Sequence, residues 1–255
     1  MTDETVAPAP EEWGTPAGRA MVELLWNPPP PATRGPKQRL KLDRVVEEAM
    51  TLAAEEGVER LSMRSLGQRL GVSAMSLYTY VPGREELFEL MIDRAWEARD
   101  GADPSRPWRD QVEHHARQAW AMYERYPWMI QANVWRMPLG PHVLDSQEDL
   151  YRAVSLSGLP SYEVVRVASL VESFVFGAAR AQITDRIQAA QTGVSTDAYW
   201  DSRSSFWATY YTPDRFPTMT ALWESGAFDQ GTGGDPLDFG LQRLLDGVEL
   251  LVGRT

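Results

Sequence analysis

Residues 63–91 read MRSLGQRLGVSAMSLYTYVPGREELFELM. Met63, Leu66 and Leu70 fall on one face of a short helix, and Ser62 before them is a good N-cap. Gly71 permits the positive φ of a tight turn, and Ser73 is placed to cap a second short helix. Pro82-Gly83 ends that helix, and a further one begins at Arg84 with acids in its first turn. The second short segment carries Ser73, Ser76, Tyr78, Thr79 and Tyr80 together, a set that a helix built only to fill a core would not choose. Two helices over 63–70 and 73–80, joined by a glycine turn and supported by a helix over 43–56, have the layout of a helix-turn-helix. In that motif the second helix enters the major groove, its N-terminal end at the base edges. Leu77 and Val81 then hold it to its support, while hydroxyls and rings face outward.

Upstream, Val45, Ala49, Leu52 and Ala53 recur at helical spacing and Gly57 stops the helix. Residues 1–33 are rich in Pro, Ala and Glu and end in NPPPP (27–31), with one apolar piece, AMVELLW (20–26). That piece reads as a helical turn docked on the protein's own body, or else as a partner-binding segment. Downstream, helical patterns cover roughly 108–126, 128–136, 142–157, 161–187 and 197–210, and strand signals are essentially absent. The chain is therefore expected to be all-α. Val164, Val167, Val171, Phe174, Ala178 and Ala181 form a seam of alternating three- and four-residue steps, as do Leu237, Leu241, Leu244, Val248 and Leu251. The preferred reading is a four-helix bundle across a two-fold axis; the alternative is an intramolecular core.

The 255 residues carry a net charge of −11, which looks wrong for a nucleic-acid binder until it is divided. Residues 34–84 hold nine basic and six acidic side chains, +3, against −14 for the remainder. A basic end on an acidic body suggests that only one end meets polyanions. There is no cysteine, which removes disulfides and the usual thiolate metal sites. His114-His115 point about 100° apart on a helix and make a poor chelating pair. No metal, cofactor or catalytic residue is assigned: there is no nucleophile elbow, phosphate loop or plausible His-carboxylate set. No apolar run approaches the ~18 residues of a membrane span, and the acidic N-terminus is unlike a secretory signal, so a cytoplasmic protein is expected.

The stretch LSMRSLGQRLGVSAMSLYTYVPGREELFELM resembles the DNA-binding domain of the tetracycline-repressor (TetR) family, over about Leu40 to Ala95. RFPTMTALWESGAF (215–228) and DFGLQRLLDGVELLV (238–252) resemble the C-terminal domain of the branch that includes the tetracycline repressor itself. The RGPK lead-in and MSLYTYVPG look like actinobacterial members, many of which sit beside antibiotic-export genes. The resemblance implies an N-terminal extension with a basic arm (1–38), a helix-turn-helix DNA-binding domain (39–95) and a larger helical ligand-binding and dimerisation domain (96–255). It also implies a homodimeric repressor on operator DNA. Carried over by position, Ala74, Met75, Ser76, Tyr78, Thr79 and Tyr80 face DNA, Ser73 caps the helix and reaches a phosphate, and Arg64 and Arg84 are placed for phosphates. Tyr78 has partial packing within the domain as its alternative. Because Ala74 and Met75 are short of hydrogen-bonding groups, base reading is expected to lean on methyl contacts, shape and water. Arg34, Lys37 and Arg39 form the basic run, read as a minor-groove arm or a solvated linker.

Large rings crowd residues 100–230, and most must be core. In the family the pocket lies between the long seam helix and its neighbours. The residues chosen for it are Trp120, Tyr123, Asn133, Trp135, Arg136, Phe174 and Gln182, with core packing or a surface ion pair as the competing role. The implied effector is a fairly large, partly aromatic small molecule. The rival is a DNA-binding regulator governed by a protein partner through AMVELLW, without a small-molecule ligand.

Overall fold

Caps and breakers set the element boundaries. In the computed structural model residues 15–28, 40–132, 137–228 and 235–253 are described, and no strand occurs among them. In chain order the helices are α1 (Pro16–Trp26), α2 (Leu42–Glu56), α3 (Met63–Leu70), α4 (Ala74–Leu77), α5 (Arg84–Glu97), α6 (Trp108–Arg125), α7 (Trp128–Gln131), α8 (Pro141–Ser155), α9 (Ser161–Thr192), α10 (Thr196–Asp201), α11 (Ser204–Thr209), α12 (Pro217–Glu224) and α13 (Pro236–Val252). They fall into two compact units. One runs to Asp100 and takes in Gln131–Glu148; the other holds Gly101–Ile130 and the chain from Asp149 onward.

In the first unit α2 ends at Gly57 (φ 88°) and α3 at Gly71 (φ 68°), both in the positive region that glycine alone adopts without strain. Ser62 and Ser65 close a reciprocal capping box at the start of α3. Val45, Ala49, Leu52, Ala53, Leu66, Leu77, Val81 and Leu87 are buried and make the core that holds the three-helix head together. Gly67 lets α4 approach α3: a Cβ there would lie 2.9 Å from the Val72 carbonyl oxygen.

AMVELLW belongs to a longer helix, α1, started by the Gly18 amide donating to Thr15 Oγ1 at 3.1 Å. Met21 and Leu25 are buried, and α1 packs on α5. The Trp26 indole N–H donates to the Leu139 carbonyl at 2.8 Å. The reading as a segment docked on the protein's own body is the one realised.

The same unit holds the start of α8. Asp93 on α5, only 6% exposed, accepts the backbone N–H groups of His142 (3.0 Å) and Val143 (3.1 Å) on one carboxylate oxygen. Its other oxygen meets His142 Nδ1 at 2.8 Å. One helix thus caps another with a borrowed carboxylate. Gly140 beside it is obligatory, since any Cβ would overlap the Asp93 carboxyl group.

In the second unit α9 packs on α6 and α13. Its buried stripe is Val164, Val167, Ala168, Val171, Val175, Ala179 and Ile183, facing its own chain. On α13, Leu237, Leu241, Leu245 and Val248 are buried likewise. Of the two seams, Val164, Val167, Val171, Leu237, Leu241 and Val248 are buried within the chain, whereas Leu244 and Leu251 are only half-buried. The second half of the expected α9 seam also shifts: Phe174 and Ala178 are half-buried and Ala181 is exposed. The cause is that α9 has two neighbours. Phe174 turns to α13, where its ring fills the space beside Gly240, while Ala179 and Ile183 turn to Ile130, Trp120 and Tyr123.

The helix expected over 197–210 breaks into α10 and α11 at Ser202-Arg203. Ser202 Oγ (2.7 Å) and the Arg203 guanidinium (3.2 Å) both donate to the Tyr199 carbonyl, local bonds that compete with helix continuation. Neither α11 nor α12 buries a residue. Their rings instead touch one another: Trp200–Trp207 at 6.4 Å, Trp207–Trp223 at 5.8 Å and Trp223–Phe228 at 6.2 Å.

Candidate functional site

The helix-turn-helix is built from the capping of two very short helices. The α-helical part of the second is Ala74–Leu77, and tighter bonds such as Thr79 N–H to Ser76 O (3.3 Å) and Tyr80 N–H to Leu77 O (2.9 Å) carry the turn to Tyr80. Leu77 and Val81 are fully buried and anchor it. Ser73, Met75, Ser76, Tyr78 and Thr79 are exposed, Ala74 and Tyr80 half-buried. The side chains that the sequence assigns to DNA thus share one outward segment. Arg64 is exposed on α3. Arg34, Lys37 and Arg39 lie outside the described residues.

Ser73 caps the second helix as expected, and Ser73, Thr79 and Arg84 each have hydrogen-bond partners close by. Ser73 Oγ accepts the Ser76 N–H at 3.1 Å and shares a hydrogen bond with Ser76 Oγ at 2.8 Å, so the cap occupies it. Thr79 Oγ1 donates to the Ser76 carbonyl at 2.7 Å. Arg84, read as a phosphate contact, is exposed and also braces the backbone. Nε donates to the Leu61 carbonyl at 2.7 Å and Nη2 to the Val58 carbonyl at 3.0 Å, with the group 4.7 Å from the Phe88 ring centroid. The Val58 carbonyl also accepts the Leu61 N–H at 3.2 Å, so the guanidinium braces the two ends of the 3-10 turn Val58–Arg60.

In the second unit Trp120 and Tyr123 share a face of α6 and pack on Ile130, Ala179, Ile183 and Ile187. Phe176, which sequence reasoning passed over, meets Tyr123 edge-on with centroids 5.7 Å apart. Phe174 points away to α13, and Gln182 is exposed, so neither joins Trp120 and Tyr123. Asn133, Trp135 and Arg136 lie outside the described residues. A shallow trough of about 450 Å3 runs along α9, lined by Gly177, Arg180, Ala181, Thr184, Asp185 and Gln188. Of the chosen pocket residues that are described, Trp120, Tyr123, Phe174 and Gln182, none lines it. Among the described residues no cluster of His and carboxylate side chains is arranged to hold a metal, and no helix is long and apolar enough to cross a membrane.

Burial, and secondarily the nearby Glu172 carboxylate, push the Tyr123 phenol up to about 12. Glu172 is itself raised by the protein mass around it, although its side chain keeps contact with solvent. A tyrosine that holds its proton more tightly folded than unfolded contributes stability that is complete below about pH 10 and is lost as pH climbs toward 12. Spectrophotometric titration at 295 nm is expected to show one late phenolate in the native protein that Tyr123→Phe removes. If the variant leaves the titration curve unchanged, Tyr123 is not the late phenol.

The comparisons agree with this geometry. Residues 45–91 match the family described as bacterial regulatory proteins, tetR family, and residues 101–252 match the tetracyclin repressor-like C-terminal domain. The HTH-type transcriptional repressor DrrR1 of Streptomyces coeruleorubidus is 38% identical over 237 residues, 91% of this chain and 86% of that protein. The tetracycline repressor protein class E of Escherichia coli is 24% identical over 59% of this chain and 72% of its own length. Among solved structures, the Streptomyces coelicolor TetR family protein ActR in complex with actinorhodin superposes with a TM-score of 0.69 at 26% identity, covering 84% of this chain and 96% of that one. A buried-anchor helix-turn-helix, a helical body and full-length relatives together show that the chain belongs to the TetR family of bacterial transcriptional regulators.

Proposed function

We propose that the chain is a homodimeric repressor in the cytoplasm that binds a pseudo-palindromic operator and is released by a medium-to-large, partly aromatic small molecule. The observation that carries the first half is the segment Ser73–Tyr80, outward-facing over the buried anchors Leu77 and Val81. Residues 39–95 form the DNA-binding domain, preceded by an extension (1–38) whose Arg34, Lys37 and Arg39 add phosphate or minor-groove contacts. Residues 96–255 sense and dimerise. Two recognition helices meet successive major grooves ~34–36 Å apart. Ser73, Ala74, Met75, Ser76, Tyr78, Thr79, Tyr80 and Arg64 supply the DNA face. Trp120 and Tyr123 with Phe176 are the aromatic wall toward which an effector is drawn, and the structure of ActR in complex with actinorhodin supports a small-molecule guest. The effector shifts the population of heads by its differential affinity for two states, worth ~1–3 kcal/mol. Control by a protein partner at AMVELLW is less favoured, because Met21 and Leu25 already face inward.

The test is binding to duplexes enriched from a random library, with the mass of the complex and the salt slope measured, then repeated with actinorhodin and tetracycline as probes. Two chains per pseudo-palindrome, log affinity falling linearly with log salt, and release by an aromatic probe are the expected results. One chain per duplex, or affinity indifferent to salt, would overturn it.

A further inference from the structure

The short hydroxyls at the N-terminal end of the recognition segment's outward face are engaged within the segment itself. The Ser73 and Ser76 hydroxyls are joined at 2.8 Å, Ser73 Oγ also accepts the Ser76 N–H, and the Thr79 hydroxyl proton goes to the Ser76 carbonyl. Ala74 has nothing to offer but a methyl group. Met75 follows it at the N-terminal end of α4, the end that helix-turn-helix proteins bring to the bases. Its side chain is 75% exposed, more than Tyr78 at 48% or any other large apolar side chain described in the head.

A methionine in that position takes no part in the core of the head, and its thioether is only a weak acceptor. What it can gain on a duplex is burial. In the major groove the apolar feature of a base edge is the C5-methyl group of thymine, and the cytosine edge carries hydrogen where thymine carries methyl. Resting on the DNA-binding reading above, we infer that Met75 is a specificity-determining residue that reads a thymine methyl in each half-site. The operator is recognised at that position by an apolar contact in place of a hydrogen-bonded pair.

The experiment uses the full chain and one duplex enriched from a random library, synthesised with thymine or with deoxyuridine throughout. Uracil keeps the pairing and the O4 acceptor and deletes only the methyl. Wild type is expected to bind the uracil duplex about fourfold more weakly per half-site, the effect of burying one methyl-sized group. Met75→Ala, exposed enough to fold unchanged, is expected to bind the thymine duplex more weakly and to treat the two duplexes alike. Equal wild-type affinity for both duplexes would overturn the inference while leaving DNA binding intact. A Met75→Ala protein that still prefers thymine as strongly as wild type would also overturn it, by moving the methyl contact to another residue. A library that enriches no duplex would overturn the DNA-binding reading, and the inference with it.

Discussion

Asp93→Ala is expected to lower the unfolding free energy by about 3 kcal/mol, the typical cost of stripping a buried carboxylate from donors that then stay unpaired. Two backbone N–H groups, of His142 and Val143, lose their acceptor, and so does the His142 ring. Water cannot readily replace the carboxylate, because Asp93 is 6% exposed and Gly140 is pressed against it. Asp93→Asn keeps an acceptor oxygen of the same shape for the two amides and is expected to recover at least half of the loss. Urea unfolding followed by circular dichroism gives both numbers. If alanine costs less than about 1 kcal/mol, the carboxylate is not what starts α8. The consequence reaches beyond stability. Asp93 sits ten residues into the helix that opens with Arg84 at the DNA-binding head, so a loosened cap frees the first turn of α8 from α5.

The second large effect concerns Arg84. Arg84→Ala is expected to destabilise the protein by about 2 kcal/mol, since two charge-assisted bonds to the Val58 and Leu61 carbonyls and the contact over Phe88 are lost together. Operator affinity then falls through the folding of the head, and the salt slope of binding stays where it was. Arg64→Ala is the contrast: no loss of stability, weaker binding on every sequence, and a slope shallower by about 0.9 for each phosphate contact removed. A slope change with Arg84→Ala, at unchanged stability, would restore Arg84 to the phosphate contacts.

Arg84 also shows where reading the sequence stops. A cation at a helix start beside a DNA-binding motif reads as a phosphate ligand, and pattern, which gives only its position along the chain, does not reveal the Val58 and Leu61 carbonyls that it also braces. Ser62, Gly71, Ser73, Leu77 and Val81 were legible because caps, turns and anchors are decided within a few residues. Asp93, Gly140 and Trp26 were not, for their partners are 113 residues apart in the case of Trp26 and Leu139 and about fifty in the case of Asp93 and His142. The α9 seam was half legible. Its first turns keep the spacing read from Val164 to Val171, but the pattern cannot say that the helix changes neighbours midway, which sends Phe174 to α13 and brings Phe176 to Tyr123.

The row of rings across α10–α12 has an optical consequence. Trp200, Trp207 and Trp223 are linked through contacts of 6.4 and 5.8 Å, close enough for their excited states to couple and exchange energy. Such a trio gives a strong near-ultraviolet circular dichroism band and depolarised emission that a lone indole lacks. Any surface that settles over the row changes both signals, so the segment carries its own spectroscopic label and reports on what covers it without a dye.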